Sequence, residues 1–350
     1  MFSPFVKRSS FVLEGLNAAA TTIYFNYIFF HMRDQFGFTN LGNLTLCAVN
    51  GGVYGVSVWF TGKYAQRRGY LVALRYGFLI MGAAMMAGSG LAQSLQGQIA
   101  VMILWSLGMS FTWPALEAIA SEGEPPVRLQ RFIGIYNVIW STAGAAAYFA
   151  GGAMMERVGA RGIFVVPGFA HAAQLAIVLI LERAHGRSPR PLPSPDRAED
   201  LEGQQVTTNN AAGACKLFLL MAWIANPFAY VAMNALVPVI PKVAERFGLG
   251  PMLAGFFCST WLFARSASFL VLWLWSGWHY RFRWLVGSYA AMLVCFLAIL
   301  LGHRLWVLFV AQLVFGFAVG LIYYSSLYYS MDVGETKGEH GGFHEAAIGA

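Results

Sequence analysis

The sequence predicts an all-α polytopic membrane protein: two pseudo-symmetric helical bundles with about ten complete transmembrane helices and the start of an eleventh. Three observations predict it. Of the 350 residues, 58% are hydrophobic and only 11% are charged, against about 25% charged in an ordinary soluble protein. The apolar residues gather in runs of about 20, the length that crosses a hydrocarbon core of about 30 Å, and short polar breaks separate the runs. The runs also lack the alternation of barrel strands, and a lone span satisfies its backbone only as a helix. This composition excludes a disordered chain, a coiled coil and a water-soluble enzyme.

The spans fall near residues 11–31, 41–61, 71–93, 97–119, 131–154, 162–182, 214–240, 252–275, 284–302 and 305–330. The first follows Lys7 and Arg8. It carries Glu14, Asn17 and Asn26, too polar for a secretory signal core, and is read as a retained span. The second holds Asn50 and stops at Gly62; the fourth holds Trp113, Pro114 and Glu117; the fifth holds Asn137 and Trp140. The seventh contains Asn226, Tyr230 and Asn234 beside Pro227 and Pro238, and the eighth contains Arg265. The tenth carries Gly316 and Gly320 at the spacing that lets helices touch. Between the sixth and seventh spans lies a polar stretch with four prolines between Pro189 and Pro195 and an acidic cluster at Asp196, Glu199, Asp200 and Glu202. The expected organisation is a six-helix bundle over 1–183, a cytoplasmic linker over 184–213 and a second bundle over 214–350.

Orientation follows Lys and Arg in short loops. With the N-terminus in the cytoplasm, Lys7, Arg8, Lys63, Arg67, Arg68, Arg75, Arg128, Arg131, Arg183, Arg187, Arg190, Arg197, Lys216, Arg281, Arg283 and Lys337 fall inside. Arg33, Arg157, Arg161, Lys242, Arg246 and Arg304 fall outside. The net charge of +7 is therefore a topology signal, not a nucleic-acid footprint. The cysteines, Cys47, Cys215, Cys258 and Cys295, lack the paired spacing of a zinc, haem or redox site and read as packing residues. Trp273, Trp275, Trp278, Tyr280 and Trp284 surround the turn between the eighth and ninth spans, and an interfacial belt is expected there.

The two halves match one another. Asp34, Gln35, Phe36, Gly37 and Phe38 after the first span answer Glu245, Arg246, Phe247, Gly248 and Leu249 after the seventh. Gly62 answers Gly277, Gly108 answers Gly316, and Phe132 answers Phe343. A parallel duplication of a six-span unit is expected, with a cavity between the halves near the bilayer midplane. On that arithmetic Gly342 to Ala350 opens an eleventh span and the twelfth is absent.

After the second span the chain reads Gly62, Lys63, Tyr64, Ala65, Gln66, Arg67, Arg68, Gly69. With the span parity, the central linker and the repeat, this resembles the major facilitator superfamily of secondary transporters, whose corresponding loop reads G-x-L-A-D-R-x-G-R-R. Gly62, Ala65, Arg67 and Gly69 match, and Gln66 stands where the family has an acidic residue. The fifth-span pattern of the family's proton antiporters keeps Gly151 and Gly152, but Ala143, Ala147 and Tyr148 stand at its two earlier glycines and its proline. The resemblance implies a carrier working by alternating access, with those four residues as a gating loop, a small-molecule substrate, a coupling proton or sodium ion, and no cofactor.

Charges and amides inside spans are costly and need a partner or a watery cavity. The expected substrate-binding residues are Arg265, a site for an anionic or carboxylate group, with Asn226, Tyr230, Asn234, Asn17, Tyr24, Asn50, Asn137 and Trp140. Glu14 and Glu117 are the expected proton-coupling carboxylates. Glu14, Asn17, Thr21 and Tyr24 share one helix face, expected to point inward. Two other readings stay open: a non-transporting sensor or scaffold on the same fold, and a membrane-embedded enzyme. For the latter no catalytic constellation is found, since His344 and Glu345 are followed by Ile348 where a zinc motif needs its second histidine. The chain is expected to be a monomer in the cell's inner membrane.

Overall fold

The computed structural model describes residues 2–122, 126–186 and 209–333, with no strand among them. The helices are α1 (Pro4–Phe36), α2 (Asn40–Arg68), α3 (Tyr70–Gly90), α4 (Leu95–Ser121), α5 (Pro126–Val158), α6 (Gly162–Gly186) and α7 (Asn209–Leu236). A 3-10 turn, Val237–Val239, leads into α8 (Ile240–Arg246), followed by α9 (Pro251–Cys258), α10 (Thr260–Leu274), α11 (Phe282–Leu301) and α12 (Leu305–Val333). With α7 and α8 forming one rod and α9 and α10 another, the described chain makes ten traversals. The side chains of Arg128, Cys215 and Lys216, and most of the linker, Lys337, Phe343 and the opening of an eleventh span, lie outside what is described.

Local chemistry sets the ends. Ser3 accepts the Val6 N–H at 3.3 Å with Pro4 in the first turn of α1, and Thr39 does the same for Gly42 at the start of α2. The expected loop between the second and third spans is the single residue Gly69, with φ 104° and ψ 143°, a conformation open only to glycine. Gly62, Ala65 and Arg67 belong to the last turns of α2. The eighth span, expected to be continuous, is broken at Ser259. There the Ser259 and Thr260 hydroxyls bond back to the carbonyls of Phe256 and Phe257, competing with the helical ladder.

Eight rods are long and apolar enough to cross a membrane by length and composition. The other two are α1 and α5, whose polar residues face inward: Glu14, Asn17, Asn137 and Ser141 are all buried. Outward-facing residues such as Phe169, Met86, Leu274 and Leu301 are more than two-thirds exposed, an apolar surface suited to lipid.

The internal repeat is visible in the packing. Contacts of α2 with α4 and α3 with α4 recur as α10 with α12 and α11 with α12. Gly37 and Gly248, which correspond in sequence, both follow the ends of their helices in the left-handed region, at φ 68° and 65°. The halves meet along α5 against α9 and α10, and along α2 against α7 and the 3-10 turn. A small residue permits the α5–α9 contact, since a β-carbon on Gly152 would collide with the Pro251 carbonyl; within the second half, one on Gly316 would collide with that of Trp261. The tryptophan belt is only partly a belt. Trp275 is exposed, but Trp278 is buried among Tyr324, Tyr328 and Tyr329 and donates to the Leu272 carbonyl, because the turn folds back under α12.

A cavity between the two bundles

Both halves contribute walls to one cavity of about 190 Å³. From the first come Ala18, Thr21, Thr22, Phe25 and Asn26 of α1, Asn50 and Tyr54 of α2, Trp105, Met109 and Trp113 of α4, and Trp140 of α5. From the second come Tyr230, Met233 and Asn234 of α7, Val237 of the 3-10 turn, Trp261, Leu262 and Arg265 of α10, and Tyr323 of α12. The one charged residue in this lining is Arg265.

Arg265 is 8% exposed, and its guanidinium carbon lies 4.6 Å from the Trp140 ring centroid and 5.1 Å from that of Trp261. Such contacts attract a cation over an indole face and hold it without neutralising it. Among the described residues no carboxylate comes within salt-bridge distance of it. Nη1 reaches only the thioether of Met233 at 3.5 Å, and Nε has no acceptor. The backbone beneath is fixed, since Gly316 and Gly320 press α12 against α10 at Trp261, Arg265 and Ser268.

Arg265, Tyr230, Asn234, Asn50 and Trp140 thus share the cavity, and the other expected residues stand around it. Asn17 is buried within the first half, its amide on Thr112 at 3.4 Å, and Tyr24 packs edge-on to Trp105. The stripe of α1 that lines the cavity is 18, 21, 22, 25 and 26. It is turned by roughly a quarter turn from the 14, 17, 21, 24 stripe, at 3.6 residues per turn, so only Thr21 belongs to both. Glu14 is likewise buried in the first half, outside the lining. Asn137 faces its own helix, accepting the Trp140 indole N–H at 3.0 Å. Asn226 is fully buried, and its amide has no hydrogen-bond partner among the described residues.

Glu117 lies behind the cavity wall, where the Tyr323 hydroxyl approaches its Oε1 at 3.5 Å, a long hydrogen bond between the halves. With Ser121, Ile133, Tyr136 and Leu327 it borders a second, much smaller void. Sequence reasoning did not assign Tyr54, Trp105, Trp113, Trp261, Tyr323 or Asn26 to the site. The available signal was spacing: Trp105, Met109 and Trp113, and Trp261 with Arg265, recur every fourth residue and so share a face.

The end of the molecule at which α1 finishes is closed by cross-half bonds. Arg33 pairs with Glu245 at 2.7 Å, Asn43 donates to the Pro238 carbonyl at 3.3 Å, and Glu156 accepts from Met252 N at 2.8 Å. At the other end lies a cluster of edge-on and tilted rings, with Trp140 5.4 Å from Tyr323, 5.6 Å from Phe269 and 6.1 Å from Trp113.

Sibling helical bundles with outward apolar faces, sharing one solute-sized chamber lined from both halves, define a membrane transport protein. The sequence profile described as Major Facilitator Superfamily matches residues 10–345, and the chain belongs to that superfamily. Its fold is similar to that of a bacterial homologue of the human lysosomal transporter Spinster, solved inward-facing and unoccupied. The TM-score is 0.71 at 16% identity, covering 100% of this chain and 81% of that one. It is also similar to the human organic anion transporter MFSD10 (TETRAN), with TM-score 0.66 at 12% identity, covering 99% and 91%. Comparison with curated protein sequences gives no match. The chain therefore serves membrane transport of a small solute.

Proposed function

We propose that the solute is anionic and that Arg265 is its charge contact. The observation that carries this reading is a buried cation lining a chamber shared by both halves, with no described carboxylate in salt-bridge reach. A buried charge left unpaired is costly. A solute that supplies the counter-charge recovers that cost, whereas a cationic solute doubles it. Tyr230, Asn234, Asn50 and Trp140 complete the solute contacts, and Asn17, Tyr24, Asn137 and Asn226 support them from behind.

Transport follows alternating access, with residues 1–183 and 214–350 rocking about the chamber and 184–213 joining them. In the orientation with the N-terminus cytoplasmic and the chain in the inner membrane, the Arg33–Glu245 closure lies outside and the aromatic cluster inside. Glu117 couples a proton, since its protonation loosens the bond from the hydroxyl of Tyr323, a residue that lines the chamber; Glu14 is the alternative carboxylate and sodium the alternative ion. Gly62, Ala65, Arg67 and Gly69 act as the gating turn. A single chain suffices, surrounded by lipid.

The test is binding and uptake by purified protein in sealed liposomes, with acetate, benzoate, succinate, phosphate, methylammonium and glucose as probes. At least one anion is expected to enter, and Arg265→Gln is expected to lower its affinity at least ten-fold. Entry of methylammonium or glucose alone, or anion entry indifferent to Arg265→Gln, overturns the assignment.

A further inference from the structure

We infer that the chamber takes a small aromatic monocarboxylate. The inference rests on the anionic reading above and narrows it by charge count, shape and size. The lining carries one cation and no carboxylate, so one negative charge is matched and a second would stay buried and unpaired. Trp140 and Trp261 meet the guanidinium with their rings, while Nε has no acceptor and Nη1 only a thioether. The unused valence of Arg265 is therefore its planar N–H edge, the geometry that a carboxylate fills with two parallel hydrogen bonds.

The rest of the wall favours a ring. Trp105 and Trp113 from one half join Trp140, Trp261 and Tyr323, so flat π surfaces from both halves line the chamber. Ring partners prefer offset or edge-on packing, which these tilted side chains offer to a planar guest. The volume is about 190 Å³, and an apolar cavity of about 150 Å³ holds benzene. A benzene ring with a short carboxylate arm fits that space. A fused polycyclic acid or a disaccharide exceeds it.

The experiment measures equilibrium binding and thermal shift of the full chain in detergent micelles. The probes are benzoate, phenylacetate, cyclohexanecarboxylate, acetate, terephthalate and benzyl alcohol. Benzoate or phenylacetate is expected to bind at least ten-fold tighter than acetate and several-fold tighter than cyclohexanecarboxylate, with terephthalate and benzyl alcohol weaker still. Arg265→Gln is expected to abolish the benzoate shift, and Trp113→Leu to reduce the preference for benzoate over acetate. Should Arg265→Gln fail to fold, Arg265→Lys serves, keeping the charge but losing the planar edge and most of the benzoate preference. Equal binding of acetate and benzoate, both dependent on Arg265, overturns this inference and leaves the anionic reading intact. Binding of benzyl alcohol as tight as benzoate, or no binding by any anion, overturns both.

Discussion

Arg33 at the end of α1 donates to Glu245 in α8 at 2.7 Å, and Lys242 approaches the same carboxylate at 3.1 Å. Glu245 is the repeat equivalent of Asp34, the neighbour of Arg33, so this pair ties together corresponding ends of the two halves. The side chains are 26% and 56% exposed, and exposed pairs contribute only about 0.2–1 kcal/mol. An energy of that size does little for the fold. It is still enough to shift the balance between two arrangements of the halves by a few-fold.

Glu245→Gln is accordingly expected to leave thermal unfolding nearly unchanged while opening this end. Cys47 reports it, because the thiol is buried and contacts the Asn234 carbonyl at 3.3 Å across the interface. With Cys215, Cys258 and Cys295 replaced by alanine, maleimide should modify Cys47 several-fold faster in the Gln variant. The swap Arg33→Glu with Glu245→Arg should restore the slow rate. Equal rates in all three proteins would show that the pair holds nothing shut.

Packing at Gly316 should govern both stability and binding. A β-carbon there meets the Trp261 carbonyl and lies 2.7 Å from Ala264 Cβ and 3.0 Å from Arg265 N. Gly316→Leu should therefore destabilise by about 1–3 kcal/mol, the usual cost of overpacking, and push Arg265 out of register with its indoles. At Gly52 an added β-carbon meets nothing within 4 Å. Gly52→Ala is expected to be neutral or mildly stabilising, by up to about 1 kcal/mol from helix propensity. Unfolding followed by tryptophan fluorescence compares the two, and a neutral Gly316→Leu contradicts the packing account.

Asn137 acts through Trp140. Removing its carbonyl leaves the buried indole N–H without the acceptor it has at 3.0 Å, at a cost of about 1–3 kcal/mol, and frees the ring that faces Arg265. Asn137→Ala should lower benzoate affinity several-fold, whereas Asn137→Asp keeps an acceptor and should lose less. Calorimetric titration of the two variants distinguishes this indirect role from direct contact, for which the Asp variant, adding negative charge, would be the worse.

Glu117→Gln removes a titratable group but keeps its size and an acceptor for Tyr323. Uptake driven by an imposed pH gradient should fall at least ten-fold, while exchange of labelled for unlabelled solute without a gradient continues. If gradient-driven uptake persists in Glu117→Gln and disappears in Glu14→Gln, the coupling role belongs to Glu14.

The sequence by itself determined the membrane class, the apolar spans, the repeat and the one deep cation. These are written in one dimension: span length in an apolar run, duplication in Gly37 and Gly248 at corresponding positions. Helical spacing also pointed to one usable stripe, Tyr230 with Asn234. Only the tertiary structure decided which polar faces share the chamber. A span whose neighbours are unknown has no reference direction for its rotation, and a quarter turn of α1 exchanges Asn17 and Tyr24 for Thr22, Phe25 and Asn26. The same holds for Trp140. Trp261 sits one turn from Arg265 on α10, but Trp140 comes from more than a hundred residues away in sequence, and only the packing of α5 on α10 brings its indole to Arg265.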